Sequence, residues 1–130
     1  MNKGVKDQWV TALRSGEYKQ GKGVLHRKVG GEDQFCCLGV LCDLAVKAGV
    51  TTVDASDDYN LIYGPEDDRN TAYPPADVVE WAGLKSANPY VPFEHEEWPD
   101  QKTAPLTALN DSGPLAQTFN DIADVIEEHL

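Results

Sequence analysis

The sequence predicts an α+β domain: helices packed around a central buried helix, with a small antiparallel β-sheet beside them. Three observations lead there. The run from Cys37 to Lys47 is apolar nearly all round, with Leu38, Val40, Leu41, Cys42, Leu44, Ala45 and Val46, and a helix with so little polar face is covered on most sides. Amphipathic stretches lie near both ends of the chain. A strand–turn–strand pattern precedes the apolar run. At 130 residues the chain suits one domain, 1–130, large enough to bury roughly two-thirds of its unfolded surface without metal or disulfide support.

The first element is a helix over about Lys3 to Ser15, because Val5, Trp9, Ala12 and Leu13 recur at helical spacing. Gly16 supplies its stop. A loop with two glycines and two lysines follows, Tyr18 to Gly23. Val24 to Val29 reads as a strand, Gly30-Gly31-Glu32-Asp33 as a turn, and Gln34 to Cys36 as the returning strand. The central helix spans Cys37 to Lys47, and Gly49 ends it. Between Val50 and Pro75 the only regular element expected is a short strand near Asn60 to Tyr63, set between acidic loops. Pro75 opens a short helix through Ala82, closed by Gly83. Residues 88–105, rich in proline, acid and aromatics, are expected to wrap the surface. Leu106 and Leu109 suggest a short helix. The last helix is the clearest, with Phe119, Ile122, Ala123, Ile126 and Leu130 on one stripe.

Composition narrows the function. No run approaches the roughly 20 apolar residues of a membrane helix, and the first residues lack the apolar core of a signal peptide. The expected location is the cytoplasm. The formal net charge is −11. Residues 1–64 hold eight Lys/Arg and eight Asp/Glu, whereas residues 65–130 hold three and fourteen. So acidic a chain is a poor general binder of nucleic acid or anionic membrane, and neither is expected as a partner. The acidic half could instead engage a basic host protein or imitate DNA.

Four groups of residues bear on chemistry. Cys36, Cys37 and Cys42 lack the spacing of a structural zinc site and read as buried thiols. A cysteine hydrolase would use Cys37 with His26 or His95 as base and Asn110 or Asp111 as orienter. Core packing is the preferred reading, and no catalytic residue is assigned. Asp54, Ser56, Asp58 and Asn60 follow a calcium loop until Tyr59 replaces its glycine and Pro65 its glutamate. No metal or cofactor is expected. Arg14, Lys19, Lys22, His26, Arg27 and Lys28 cluster in an otherwise acidic chain. With Gly21 and Gly23 they form a loop whose backbone N–H groups could converge on an anion. Tyr18 could stack a base and Gln20 read its edge, although the spacing is not that of a phosphate-binding P-loop. The alternative for this loop is a solvated face that pairs with the acidic half. Lastly, Asn110-Asp111-Ser112-Gly113 suits a turn but could also present an amide and a carboxylate to a ribose or base.

Trp9 with Ala12-Leu13-Arg14-Ser15-Gly16, Tyr18 and Gln20, then the run Cys36-Cys37-Leu38-Gly39-Val40-Leu41, then Trp81-Ala82-Gly83-Leu84 and Leu109-Asn110-Asp111 resemble a widespread group of small phage and prophage accessory proteins. The likeness covers most of the chain. It implies an anti-defence setting inside an infected bacterium, where some small phage proteins are compact oligomers that sequester nucleotide signals. The expectation is a homo-oligomeric, non-enzymatic binder of a small anionic, nucleotide-type ligand. Its ligand-binding residues would be Arg14, Tyr18, Lys19, Gln20, Lys22, Arg27, Asn110 and Asp111.

Overall fold

The computed structural model describes residues 1–130, apart from the side chain of Pro114. Helix α1 (Lys3–Arg14) is capped by the Asn2 side chain, which accepts from the Val5 N–H at 3.0 Å. Its buried stripe is Val5, Trp9, Val10 and Leu13. Three short strands follow: β1 (Lys19–Gln20), β2 (His26–Val29) and β3 (Glu32–Phe35). Next comes the central helix α2 (Cys37–Lys47), with the bounds that the apolar run implies. Seven of its residues are buried, and it packs on α1, on β3, and on α3 and α4 described below.

The approach of β2 to α2 depends on one glycine. A Cβ on Gly39 would lie 1.7 Å from the Leu25 carbonyl oxygen. No side chain fits there, so the chain leading into β2 runs directly over the helix backbone. The same carbonyl accepts from the Cys36 N–H at 3.2 Å, and Cys36 Sγ caps α2 by accepting from the Gly39 N–H at 3.3 Å.

The remaining elements are β4 (Val53–Ala55), β5 (Leu61–Tyr63), α3 (Ala76–Ala82), β6 (Tyr90–Pro92), β7 (Thr103–Pro105), α4 (Leu106–Asp111), a 3-10 turn (Gly113–Leu115) and α5 (Phe119–His129). Gly83 ends α3 in the left-handed conformation, φ 69°, as its position after Ala82 suggests. Helix α5 packs against α1, and Arg14 clamps the pair by reaching Asp124 at 2.5 Å and Glu127 at 3.0 Å. Among the described residues no helix is long and apolar enough to cross a membrane.

The α+β class and the central helix are as expected, and the sheet is more divided than expected. Among the described residues there are three small sheets, ordered β1-β3-β2, β4-β5 and β6-β7. All pairings are antiparallel except β1 with β3, which is parallel. Strand β4 lies in a stretch read as acidic loop, and β6–β7 lies in the segment expected only to wrap the surface. That hairpin tolerates Pro92 and Pro105 because each ends its strand, where a missing N–H removes little of the ladder.

Candidate ligand-binding face

The three-stranded sheet sorts the expected ligand-binding residues onto its two faces. Side chains opposite one another on neighbouring strands share a face, and the next row along points the other way. One row is Gln20, Phe35 and His26; the other is Lys19, Gln34 and Arg27. Phe35 is 7% and His26 7% exposed, so the first row faces the core. The second faces outward, and an isolated bridge from Arg27 to Asn60 lengthens it by one residue.

The inward side holds Tyr18, Gln20, Asn110 and Asp111 in internal contacts. Asn110 is fully buried. Its Oδ1 accepts from the Cys37 N–H at 3.2 Å and from Gln20 Nε2 at 3.0 Å. Its Nδ2 donates to the Gly21 carbonyl at 2.8 Å and to Asp111 Oδ1 at 2.6 Å. The amide therefore ties α4 to the start of α2 and to the loop after β1. Gln20 also donates to the Gln117 carbonyl at 2.9 Å. Tyr18 hydrogen-bonds Asp43, meets Phe35 edge-on at 5.0 Å, and accepts from Lys47 Nζ at 3.1 Å. Burial and the Asp43 contact raise its phenol pKa. Tyr18 and Gln20 also line a cleft of about 250 Å³ with Arg14, Thr118 and Asn120. The Arg14 guanidinium there is already paired with the two α5 carboxylates, and these raise its pKa.

His26 lies between Tyr63 and Asp33. Nδ1 is 2.9 Å from the Tyr63 hydroxyl, Nε2 is 2.7 Å from Asp33 Oδ1, and the ring stacks on Phe35 at 4.0 Å. Burial drives the Tyr63 phenol far above its ordinary pKa. The three thiols are buried. Burial pushes Cys36 up to about 11 and raises Cys37 and Cys42 well above 9.0. A thiolate, the form that attacks, is thus disfavoured at all three positions.

The outward face is different. Lys19 and Arg27 stand on either side of the Gln34 amide, and the Asn60 amide follows Arg27 at 3.5 Å from its Nε. Lys19 pairs with Glu32 at 2.9 Å, an exposed contact. Lys22 is exposed and makes no salt bridge among the described residues. Gly21 lets the loop close over the row, since a Cβ there would lie 2.9 Å from Gln34 Cβ. Exposed Tyr59, at 66% of its full surface, borders the β2 edge, where its carbonyl accepts from the Lys28 N–H at 2.6 Å. Asp57 holds this edge in place by accepting from the Tyr59 and Asn60 N–H groups, both at 2.8 Å. These bonds lower its pKa. Asp54 is engaged with Arg69 at 2.7 Å.

Sequence reasoning did not place Gln34, Tyr59 or Asn60 on this face; it meets Tyr59 and Asn60 only in a failed calcium-loop pattern and at the start of a strand. The alternation in β2 and β3 could have put Gln34 beside Arg27. The bridge to Asn60 spans more than thirty residues and leaves no local trace.

The fold and this face define a small α+β domain with a mixed cationic and amide-bearing sheet surface. The chain belongs to the family described as domain of unknown function DUF8296, whose model matches residues 1–130. No curated protein and no solved structure is significantly similar to it.

Proposed function

We propose that this protein binds a small anionic, nucleotide-type ligand on the outward face of the three-stranded sheet and holds it without turnover. The observation that supports this most is the row Lys19–Gln34–Arg27–Asn60, two cations interleaved with two amides. Cations offset the dehydration of phosphate through charge-assisted hydrogen bonds. Side-chain amides offer the paired donor and acceptor that a base edge requires. Tyr59, an exposed ring at the sheet edge next in sequence to Asn60, is the candidate for stacking. Arg14, Gln20, Asn110 and Asp111 then serve the frame behind the face. The buried thiols favour binding over thiol hydrolysis.

The face is open, so a second copy laid across it would enclose a ligand better than one copy alone. Exposed Val29 shares the outward face with Arg27 and gives such a pairing an apolar contact. The resemblance to phage accessory proteins supplies a setting, the sequestration of a nucleotide signal in the cytoplasm of an infected bacterium. Thermal-shift assays with cyclic nucleotides and ADP-ribose test the reading. A ligand at 100 times its Kd adds about 2.7 kcal/mol of stability. Lys19→Ala with Arg27→Ala should abolish the shift while leaving the unliganded melting temperature nearly unchanged. A shift that survives the double substitution would refute this face as the site.

A further inference from the structure

The β6–β7 hairpin carries a second surface, far in charge and character from the sheet face. Phe93 closes the ladder by donating its N–H to the Lys102 carbonyl at 2.9 Å, and residues 94–101 form the tip. Three rings climb from core to solvent. Phe93 is buried, His95 lies parallel to it at 6.1 Å and 9°, and Trp98 leans on His95 at 4.8 Å and 37°. The Glu97 N–H donates to His95 Nδ1 at 3.1 Å, which leaves the ring proton of the neutral imidazole on Nε2. The Trp98 N–H donates to the His95 carbonyl and the Gln101 N–H to the Trp98 carbonyl, both at 3.0 Å. The indole is therefore anchored at its backbone while 37% of its surface remains exposed.

Beside it opens a cleft of about 450 Å³, walled by Glu94, His95, Glu96, Trp98 and Lys102 among others. Exposed aromatic faces attract cations. Glu94 and Glu96 are exposed and form no salt bridge among the described residues, and the same holds for Glu97 and Asp100. Lys102 is the one lysine or arginine among the described residues of the wall.

We propose that this cleft receives an arginine side chain from a basic segment of a partner protein. A guanidinium is planar, weakly hydrated and able to stack on an indole while two carboxylates bind its edges. A compact ammonium meets those demands less well. Two carboxylates are enough to neutralise one small cation, whereas the tip presents four, which suits a segment bearing several positive charges. An anionic ligand is repelled here, so this surface and the sheet face stand or fall separately.

Anisotropy of a fluorescent hexa-arginine peptide, titrated with the full chain, tests the assignment. Hexa-lysine and N-acetyl-arginine amide serve as competitors, and circular dichroism checks each variant's fold. Hexa-arginine should bind, and Trp98→Ala and the pair Glu94→Gln with Glu96→Gln should each weaken it about tenfold, with Trp98→Phe keeping part of the affinity. Hexa-lysine should compete less well than unlabelled hexa-arginine at equal charge. Equal affinities for wild type and Trp98→Ala, or for the two peptides, would overturn the site in favour of general charge attraction. An arginine amide that competes as well as the peptide would overturn the protein partner in favour of a small guanidinium ligand.

Discussion

Cys36 has two roles that a surface cysteine could not combine. Its sulfur accepts the Gly39 N–H and caps the central helix, and its burial suppresses the thiolate. The ordinary thiol value is 9.0 and the folded value about 11. A group whose folded pKa is raised stabilises the fold fully below its unfolded pKa and loses that contribution as pH rises to the folded one. Between pH 9 and 11, Cys36 should thus remove about 1.4 kcal/mol of stability per pH unit. Urea denaturation across this range should show a shallower loss for Cys36→Ser, which keeps an acceptor at the cap but does not titrate there. Equal slopes would mean that the thiol is not desolvated. Native-state labelling should likewise leave all three thiols unmodified until the chain unfolds. Rapid capture of Cys37 would reopen the hydrolase reading.

At the scale of elements, α2 organises the fold and β2 depends on it. Leu41 is fully buried in α2, and Leu41→Ala should cost about 2–5 kcal/mol by leaving a cavity. Gly39→Ala tests the close approach of Leu25. Overpacking usually costs about 1–3 kcal/mol. Here the new Cβ would meet a backbone oxygen, so the loss should reach or exceed the upper end of that range. Chemical denaturation of both variants measures this, and a neutral Gly39→Ala would mean that the chain before β2 does not cross the helix there. The contrast between α2 and the hairpins shows what sequence can reveal. Helical spacing and glycine stops are local, so α1, α2, α3 and α5 were readable to within a residue or so. Strand β1 has two residues and a parallel partner, and β6–β7 is edged by prolines. The parallel pairing of β1 and the prolines at the ends of β6 and β7 leave only weak local patterns.

For the molecule as a whole, the acidic second half meets the basic loop at α5. Among the described residues the basic loop forms salt bridges with the second half through Arg14, which braces α1 against α5. Lys19 and Arg27 stay on the outward face, and Tyr18, Gln20, Asn110 and Asp111 build the support behind it. Lys19 and Arg27 were legible in the sequence as candidate site residues, but Gln34, Tyr59, Asn60 and the division between two faces were not. That division follows from the register of β1 and β2 on β3: alternation in the β2–β3 hairpin joins Gln34 to Arg27, whereas the parallel partner β1 and the bridge to Asn60 leave no local pattern. The claim that the outward face holds a nucleotide-type anion is tested most directly by purifying the wild type and Lys19→Ala/Arg27→Ala from the bacterial cells that produce them. Both are then denatured, and the small molecules released are identified by mass spectrometry. A phosphate-bearing nucleotide derivative should be released from the wild type and be absent from the double variant. No such molecule from the wild type, or equal amounts from both, would contradict the account.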